Sequence, residues 1–204
     1  IEKKHSIVNK AIFENDEGIA DAWNKGIRVS SGDYIAILNS GDEYLPILDS
    51  LIKNLRGEQV YVAPANILSA SGKLLRRMEP LPHKLHLGMH LPHLATFVPR
   101  RFYLQFGNYK QLKESMDYEF FMRISRTLGR MRRNNDEPFF VNLTNEPVGN
   151  FYLGGVSDRE YIKSFSQNLK IQRYYKVPGY IAYPNYLKSI MKHFLSRRFH
   201  RGKN

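Results

Sequence analysis

Asp33-Tyr34-Ile35-Ala36-Ile37-Leu38-Asn39-Ser40-Gly41-Asp42 joins a short apolar run to a polar turn, and these residues decide the fold class. From Tyr34 to Leu38 no charged residue interrupts the run, so it reads as a strand buried on both faces rather than one half exposed to water. Asn39-Ser40-Gly41-Asp42 ends it abruptly with turn chemistry. In sheets covered by helices, ligands gather at the carboxyl ends of strands, and this turn stands at such an end.

Working outward, Glu14-Asn15-Asp16-Glu17-Gly18 is an acidic turn, after which Ile19, Ala22, Trp23 and Ile27 recur at helical spacing. A helix is predicted over 19–29, ended by Ser30-Ser31-Gly32. Downstream of Pro46, residues Ile47, Leu48, Leu51, Ile52 and Leu55 predict a second amphipathic helix, followed by a strand over 59–63 and a hairpin at Ser71-Gly72. Helix, buried strand, helix, strand is an α/β order, so the expected architecture is a mainly parallel sheet with covering helices. Between Pro80 and Pro99, three further residues, Pro82, Gly88 and Pro92, predict a long loop, with a short strand over 95–98. Met116, Phe120, Phe121 and Ile124 mark a helix over 115–128. Strands follow over 139–143 and 148–153, and a Gly154-Gly155 turn leads to a helix near Ser157-Asp158.

Among its 204 residues the chain has 31 Lys+Arg against 19 Asp+Glu, a formal charge of +12, and 42% hydrophobic residues, enough apolar material to exclude wholesale disorder. It has no cysteine, which excludes disulfides, thiolate metal sites and cysteine nucleophiles, and suits a reducing compartment. No window approaches the roughly 18 apolar residues of a membrane span, so a soluble or peripheral protein is expected. Charge alone admits nucleic acid, anionic lipid or phosphate-bearing substrates as partners. A nucleic-acid role would need aromatics on an exposed sheet or a helical reader, and the sequence offers neither. Near the end, Leu187, Ile190, Met191, Phe194 and Leu195 line one helical face, with Lys188, Lys192, Arg197 and Arg198 on others. Two readings stand: a basic amphipathic helix lying on an anionic membrane surface, or a helix packed on the domain with a solvated basic rim.

Three groups of residues could carry chemistry. Asn39 and Asp42 place an amide and a carboxylate in a Gly-containing turn, which suits a hard cation such as Mg²⁺ or Mn²⁺ completed by substrate phosphates; the same residues also make an ordinary Asx-type turn. His83, His86, His90 and His93 have the spacing of one helical face, but Pro82, Gly88 and Pro92 argue against the helix, leaving His93 as a loop histidine beside the short strand. Asp117, in the first turn of the helix over 115–128, is either a general base facing a cleft or a complement to the helix dipole. Glu119 is two residues on and cannot share its face.

Together these segments resemble family 2 glycosyltransferases. Asp16-Glu17-Gly18-Ile19-Ala20-Asp21-Ala22-Trp23-Asn24-Lys25-Gly26-Ile27, then Ser31-Gly32-Asp33-Tyr34-Ile35, then Leu38-Asn39-Ser40-Gly41-Asp42 are similar to three linked motifs of that family. His93-Leu94-Ala95-Thr96-Phe97-Val98-Pro99-Arg100-Arg101, Phe106-Gly107-Asn108-Tyr109, Met116-Asp117-Tyr118-Glu119-Phe120-Phe121-Met122-Arg123 and Tyr152-Leu153-Gly154-Gly155-Val156-Ser157 resemble four more. The likeness covers about residues 14–158. It implies a GT-A (Rossmann-like) fold, with a catalytic domain over 1–158 and a C-terminal helical basic tail over 159–204. It further implies an inverting transfer of a sugar from a nucleotide-sugar to a hydroxyl on a glycan or lipid-linked acceptor, in surface polysaccharide or glycan biosynthesis. The expected location is cytoplasmic, peripheral on the inner face of the cell membrane.

By the same resemblance Gly18, Asp21, Asn24, Lys25 and Asn39 border the donor, Asp42 holds a divalent metal (Mg²⁺ or Mn²⁺), Asp117 is the base, and His93 and Arg123 belong to the acceptor loop segments. Position 41 is Gly where many members carry a second aspartate. Members usually open with an "S-[VI]-I-x-P-x-[YF]-N" strand and loop that hold the nucleotide base, and the sequence starts after that region; the expected catalytic domain is therefore N-terminally incomplete. The rival expectation is a non-catalytic remnant serving as a scaffold.

Overall fold

The computed structural model describes residues 8–131, 138–154 and 161–201. The Gly155-Val156-Ser157 end of the last motif, the helix start near Ser157-Asp158 and the boundary at 158/159 lie outside the described residues, as do the side chains from Lys192 onward.

Helix α1 (Ile19–Val29) has the bounds its periodicity predicts. Strand β1 (Tyr34–Ile35) follows, then β2 (Glu43–Tyr44), α2 (Leu48–Leu51) continued by a 3-10 turn (Ile52–Asn54), β3 (Val60–Val62) and the hairpin β4 (Ala65–Leu68) and β5 (Leu74–Met78). The Pro-rich segment forms two 3-10 turns, Pro82–Leu87 and His93–Ala95, before β6 (Thr96–Pro99). The first turn ends at Gly88, so the four histidines share no helix. Helix α3 (Arg100–Phe106), which the sequence reading did not anticipate, is followed by α4 (Met116–Met131), β7 (Phe140–Asn142), β8 (Gly149–Tyr152), α5 (Tyr161–Tyr174) and α6 (Gly179–Arg201).

The strands form two four-stranded sheets, ordered β1-β6-β3-β7 and β2-β8-β4-β5. The chain is mixed α/β, but the expectation of a mainly parallel sheet requires correction. Among the described residues only β3/β7 and β4/β8 are parallel, and the other four pairs are antiparallel. A continuous apolar run reports burial of both faces and carries no information on strand direction. Here β6 returns between β1 and β3 through the Pro-rich segment and runs against both. The run at 34–38 is also shorter as a strand than expected: only Tyr34–Ile35 pair, and Leu38 is exposed.

Burial on both faces does hold for β3 and β6, every residue of which is buried. Val60, Val62 and Val98 face one core with Ile27, Tyr118, Phe120, Phe121 and Ile124; Tyr61, Phe97 and Ala95 face a second with Leu48, Leu94 and Val148. Phe120 and Phe121 are fully buried, each worth about 1.5–3 kcal/mol of transfer free energy, and so fix the position of α4's first turn. The tail expected from residue 159 is in part continuous with this core: Ile171, Val177 and Ala182 are buried in it.

Candidate active site

One cavity of about 330 Å³ lies where α1, the β1–β2 turn, the second sheet, the 93–95 turn, the start of α4 and helix α5 meet. It gathers Asn39, Asp42, His93 and Asp117, four of the residues singled out from sequence. Its floor is one face of the second sheet. The pairing sets Phe151 opposite Ile67 and Ile67 opposite Arg76; period-2 alternation adds Ala65, Met78 and Leu153, all of which line the cavity. The other face carries a polar ladder: Asn66 Nδ2 donates to Asn150 Oδ1 (2.9 Å), and Asn150 Nδ2 to Glu43 Oε1 (2.7 Å).

The turn after β1 explains its own composition. Asp42 N–H donates to Asn39 O (3.1 Å), and Gly41 sits at φ +94°, a region L side chains rarely adopt, with nothing near its absent Cβ. Backbone conformation, and not crowding, therefore favours glycine where many members carry an aspartate. Asp42 Oδ1 accepts the Tyr152 N–H (3.1 Å). Burial raises the Asp42 carboxyl above its ordinary range and that N–H pulls it partly back; no Lys or Arg pairs with it among the described residues. A half-buried carboxylate without a countercharge, in one cavity with the Asn39 amide, offers hard oxygen donors of the kind that suit Mg²⁺ or Mn²⁺, the remaining positions falling to phosphate oxygens and water. Among the described residues no group of three or more His, Asp or Glu could close such a site without those additions.

Trp23, which the sequence reading placed only on a helical face, ties the site together. Its Nε1 donates to Asn39 Oδ1 (3.1 Å), and its ring lies 4.6 Å from His93 and 5.0 Å from Tyr109. His93 Nε2 and the Tyr109 hydroxyl are 3.0 Å apart, and that hydroxyl is 3.3 Å from Tyr103's. Burial holds His93 below the ordinary histidine range, against the opposing pull of Asp117's charge, so the imidazole is neutral near pH 7. A neutral, hydrogen-bonded ring, tilted against Trp23 and edge-on to Tyr109, positions the wall of the cavity.

Asp117 stands in the first turn of α4, with Oδ1 accepting the Tyr118 N–H (2.8 Å), and it lines the cavity. Ser115, just before the helix, is at φ +59°, one of two non-glycine residues with positive φ among those described. Glu119 turns the other way, as its spacing from Asp117 requires. It is 3% exposed and bonded to Lys110 Nζ (2.7 Å), Arg123 Nη2 (3.1 Å) and the Tyr175 hydroxyl (2.6 Å).

Five other expected site residues do not line the cavity. Gly18 caps α1 at φ +121°. Asp21 and Lys25 pair at 2.9 Å, and Lys25 also holds Glu14 (3.0 Å) and the Asn15 carbonyl (2.6 Å), fastening the acidic turn to the helix. Asn24 clamps Tyr109 through both its N–H (3.0 Å) and its C=O (2.8 Å). Arg123 donates to the Phe106 (2.5 Å) and Asn108 (2.7 Å) carbonyls, holding the loop after α3. The cavity instead takes Arg76 from β5, Lys113 from the loop before α4, and Ser164, Phe165 and Asn168 from α5. Alternation along β5 marks Arg76 and Met78 as sharing a face; nothing in the tail's sequence marks Asn168.

The domain is thus mixed α/β, and its cavity holds one carboxylate in the turn between β1 and β2 and a second at the start of α4. The profile of Glycosyl transferase family 2 matches residues 2–133, and the chain belongs to that family. No curated protein matches it.

Proposed function

We propose that the chain transfers a sugar from a nucleotide-sugar donor to a hydroxyl of a glycan or lipid-linked acceptor, with inversion at the anomeric carbon. The convergence of Asn39, Asp42, His93 and Asp117 on one cavity supports this reading most directly. The donor diphosphate lies at the Asp42 end. A divalent cation held by Asp42 and Asn39 would neutralise the charge that develops on the leaving diphosphate. Asp117 takes the proton of the acceptor hydroxyl as its oxygen bonds to the anomeric carbon, and the bond from that carbon to the diphosphate oxygen breaks, its electron pair leaving with the nucleoside diphosphate. Trp23 orients Asn39, and the neutral His93 places no positive charge beside Asp117.

Asp42→Asn is expected to lower donor affinity in Mn²⁺ by at least about tenfold and to remove the difference between Mn²⁺ and EDTA. Release of nucleoside diphosphate from UDP-, GDP- and dTDP-sugars measures both. Equal, metal-dependent turnover by Asp42→Asn would refute the assignment.

The location at an anionic membrane rests on α6. Its first turns pack inward through Ala182, but Tyr180 (81% exposed), Tyr183, Leu187 (62%) and Met191 (62%) form an apolar row on the outside, with Lys188 exposed beside it. No helix among the described residues is long and apolar enough to cross a membrane, whereas an apolar row with flanking lysine suits a helix lying in the interface. Truncation after Pro184 should abolish co-sedimentation with phosphatidylglycerol vesicles; equal sedimentation would favour a helix that serves packing alone.

A further inference from the structure

The cavity floor runs from Asp42, just before β2, across β8 and β4 to β5, and its two ends carry opposite charge. Asp42 is one residue before β2, hydrogen-bonded to Tyr152 of β8; Phe151 of β8 lies opposite Ile67 of β4, and Ile67 opposite Arg76 of β5. Three strand spacings of about 4.8 Å put the backbone of Arg76 roughly 14 Å from that of Asp42, with two apolar side chains between them. Lys113, four residues before Asp117, lines the same cavity. Neither Arg76 nor Lys113 has an ion-pair or hydrogen-bond partner among the described residues, unlike Arg77 of the same strand, which is bonded to Glu79 and the Asn145 carbonyl. Glu114, the carboxylate next to Lys113, is occupied by the Ser164 hydroxyl (3.2 Å). A third unsatisfied group is the buried Asn168 Oδ1, an acceptor without a donor on the α5 wall.

We propose that Arg76 and Lys113 form an anion subsite for the acceptor, so that the preferred acceptor glycan carries a phosphate or carboxylate, with one of its hydroxyls donating to Asn168. The inference rests on the transfer reading above, because the separation of Arg76 from Asp42, and the place of Lys113 four residues before Asp117, assign these cations to the acceptor rather than to the donor diphosphate. Two exposed, unpaired cations, one on the partly apolar floor and one on the loop before α4, attract an anion, and an acceptor that carries one gains charge-assisted hydrogen bonds that a neutral glycan cannot make.

The test is a calorimetric titration of the whole chain with inorganic phosphate and, separately, D-glucuronate in Mg²⁺, each before and after saturation with whichever of UDP, GDP or dTDP binds. Wild type should bind an anion equally well in both states. Arg76→Ala combined with Lys113→Ala should weaken that binding by about tenfold or more, with unchanged nucleotide affinity and thermal midpoint, while Asp42→Asn should leave it unaffected. Tighter phosphate points to a phosphorylated acceptor, and tighter glucuronate to an acidic sugar. Displacement of the anion by nucleotide, or undiminished binding in the double variant, would overturn the subsite. Absence of nucleotide binding with an Arg76-dependent anion site intact would refute the transfer reading, and the acceptor role with it, while leaving the anion site standing.

Discussion

Asp117→Asn is expected to lower transfer by about 10²–10⁴-fold while nucleotide affinity stays within about twofold. The amide keeps the shape of the carboxylate and can still accept the Tyr118 N–H, so the first turn of α4 is preserved. What it loses is the capacity to accept a proton from the acceptor hydroxyl. Ser115's left-handed conformation and the buried Phe120 and Phe121 anchor this turn from either side, so the substitution tests chemistry and not folding. Single-turnover transfer and calorimetric nucleotide binding on the same preparation separate the two. Undiminished turnover would mean that another group takes the proton.

Two residues along, Glu119→Ala should leave the cavity's chemistry alone and strike stability, by about 3–5 kcal/mol. The carboxylate is buried among Lys110, Arg123 and the Tyr175 hydroxyl, and the Arg123 Nε is already buried without a partner. Removing the anion strands a guanidinium in the interior and loosens the loop that Arg123 holds at Phe106 and Asn108. Gly107 leaves no slack there, since a Cβ at that position would lie 2.9 Å from Arg123 Nη1. For a chain of this length the thermal midpoint should fall by about 6–20 °C. A loss below about 1 kcal/mol would show that the cluster breaks even against its own desolvation.

The contrast between these neighbours was legible in the sequence, because residues two apart on a helix cannot share a face. So were the bounds of α1, a turn at Asn39–Asp42, though it lies between β1 and β2 rather than directly at the end of a strand over 34–38, and the failure of the four histidines to form one face. Strand direction was not, because it is set by how the chain returns from the Pro80–Pro92 segment to place β6 between β1 and β3. Helix α3 was missed because seven residues between a proline and a glycine carry little periodic signal. Asn24 and Lys25 show a different limit: amides and ammonium groups serve ligands and backbone equally well, and only coordinates show them fastening Tyr109 and the Glu14–Asn15 turn. Arg76 and Asn168 reach the cavity through sheet register and through the packing of α5, neither of which is encoded locally.

The most direct test of the account is calorimetric titration of the chain with UDP, GDP and dTDP, each in Mn²⁺ and in EDTA, alongside Asp42→Asn. A donor site at the turn after β1 predicts that one nucleotide binds in Mn²⁺ and is lost both in EDTA and in the variant. A folded chain that takes up none of the three, or one that binds as well without Asp42, would contradict it.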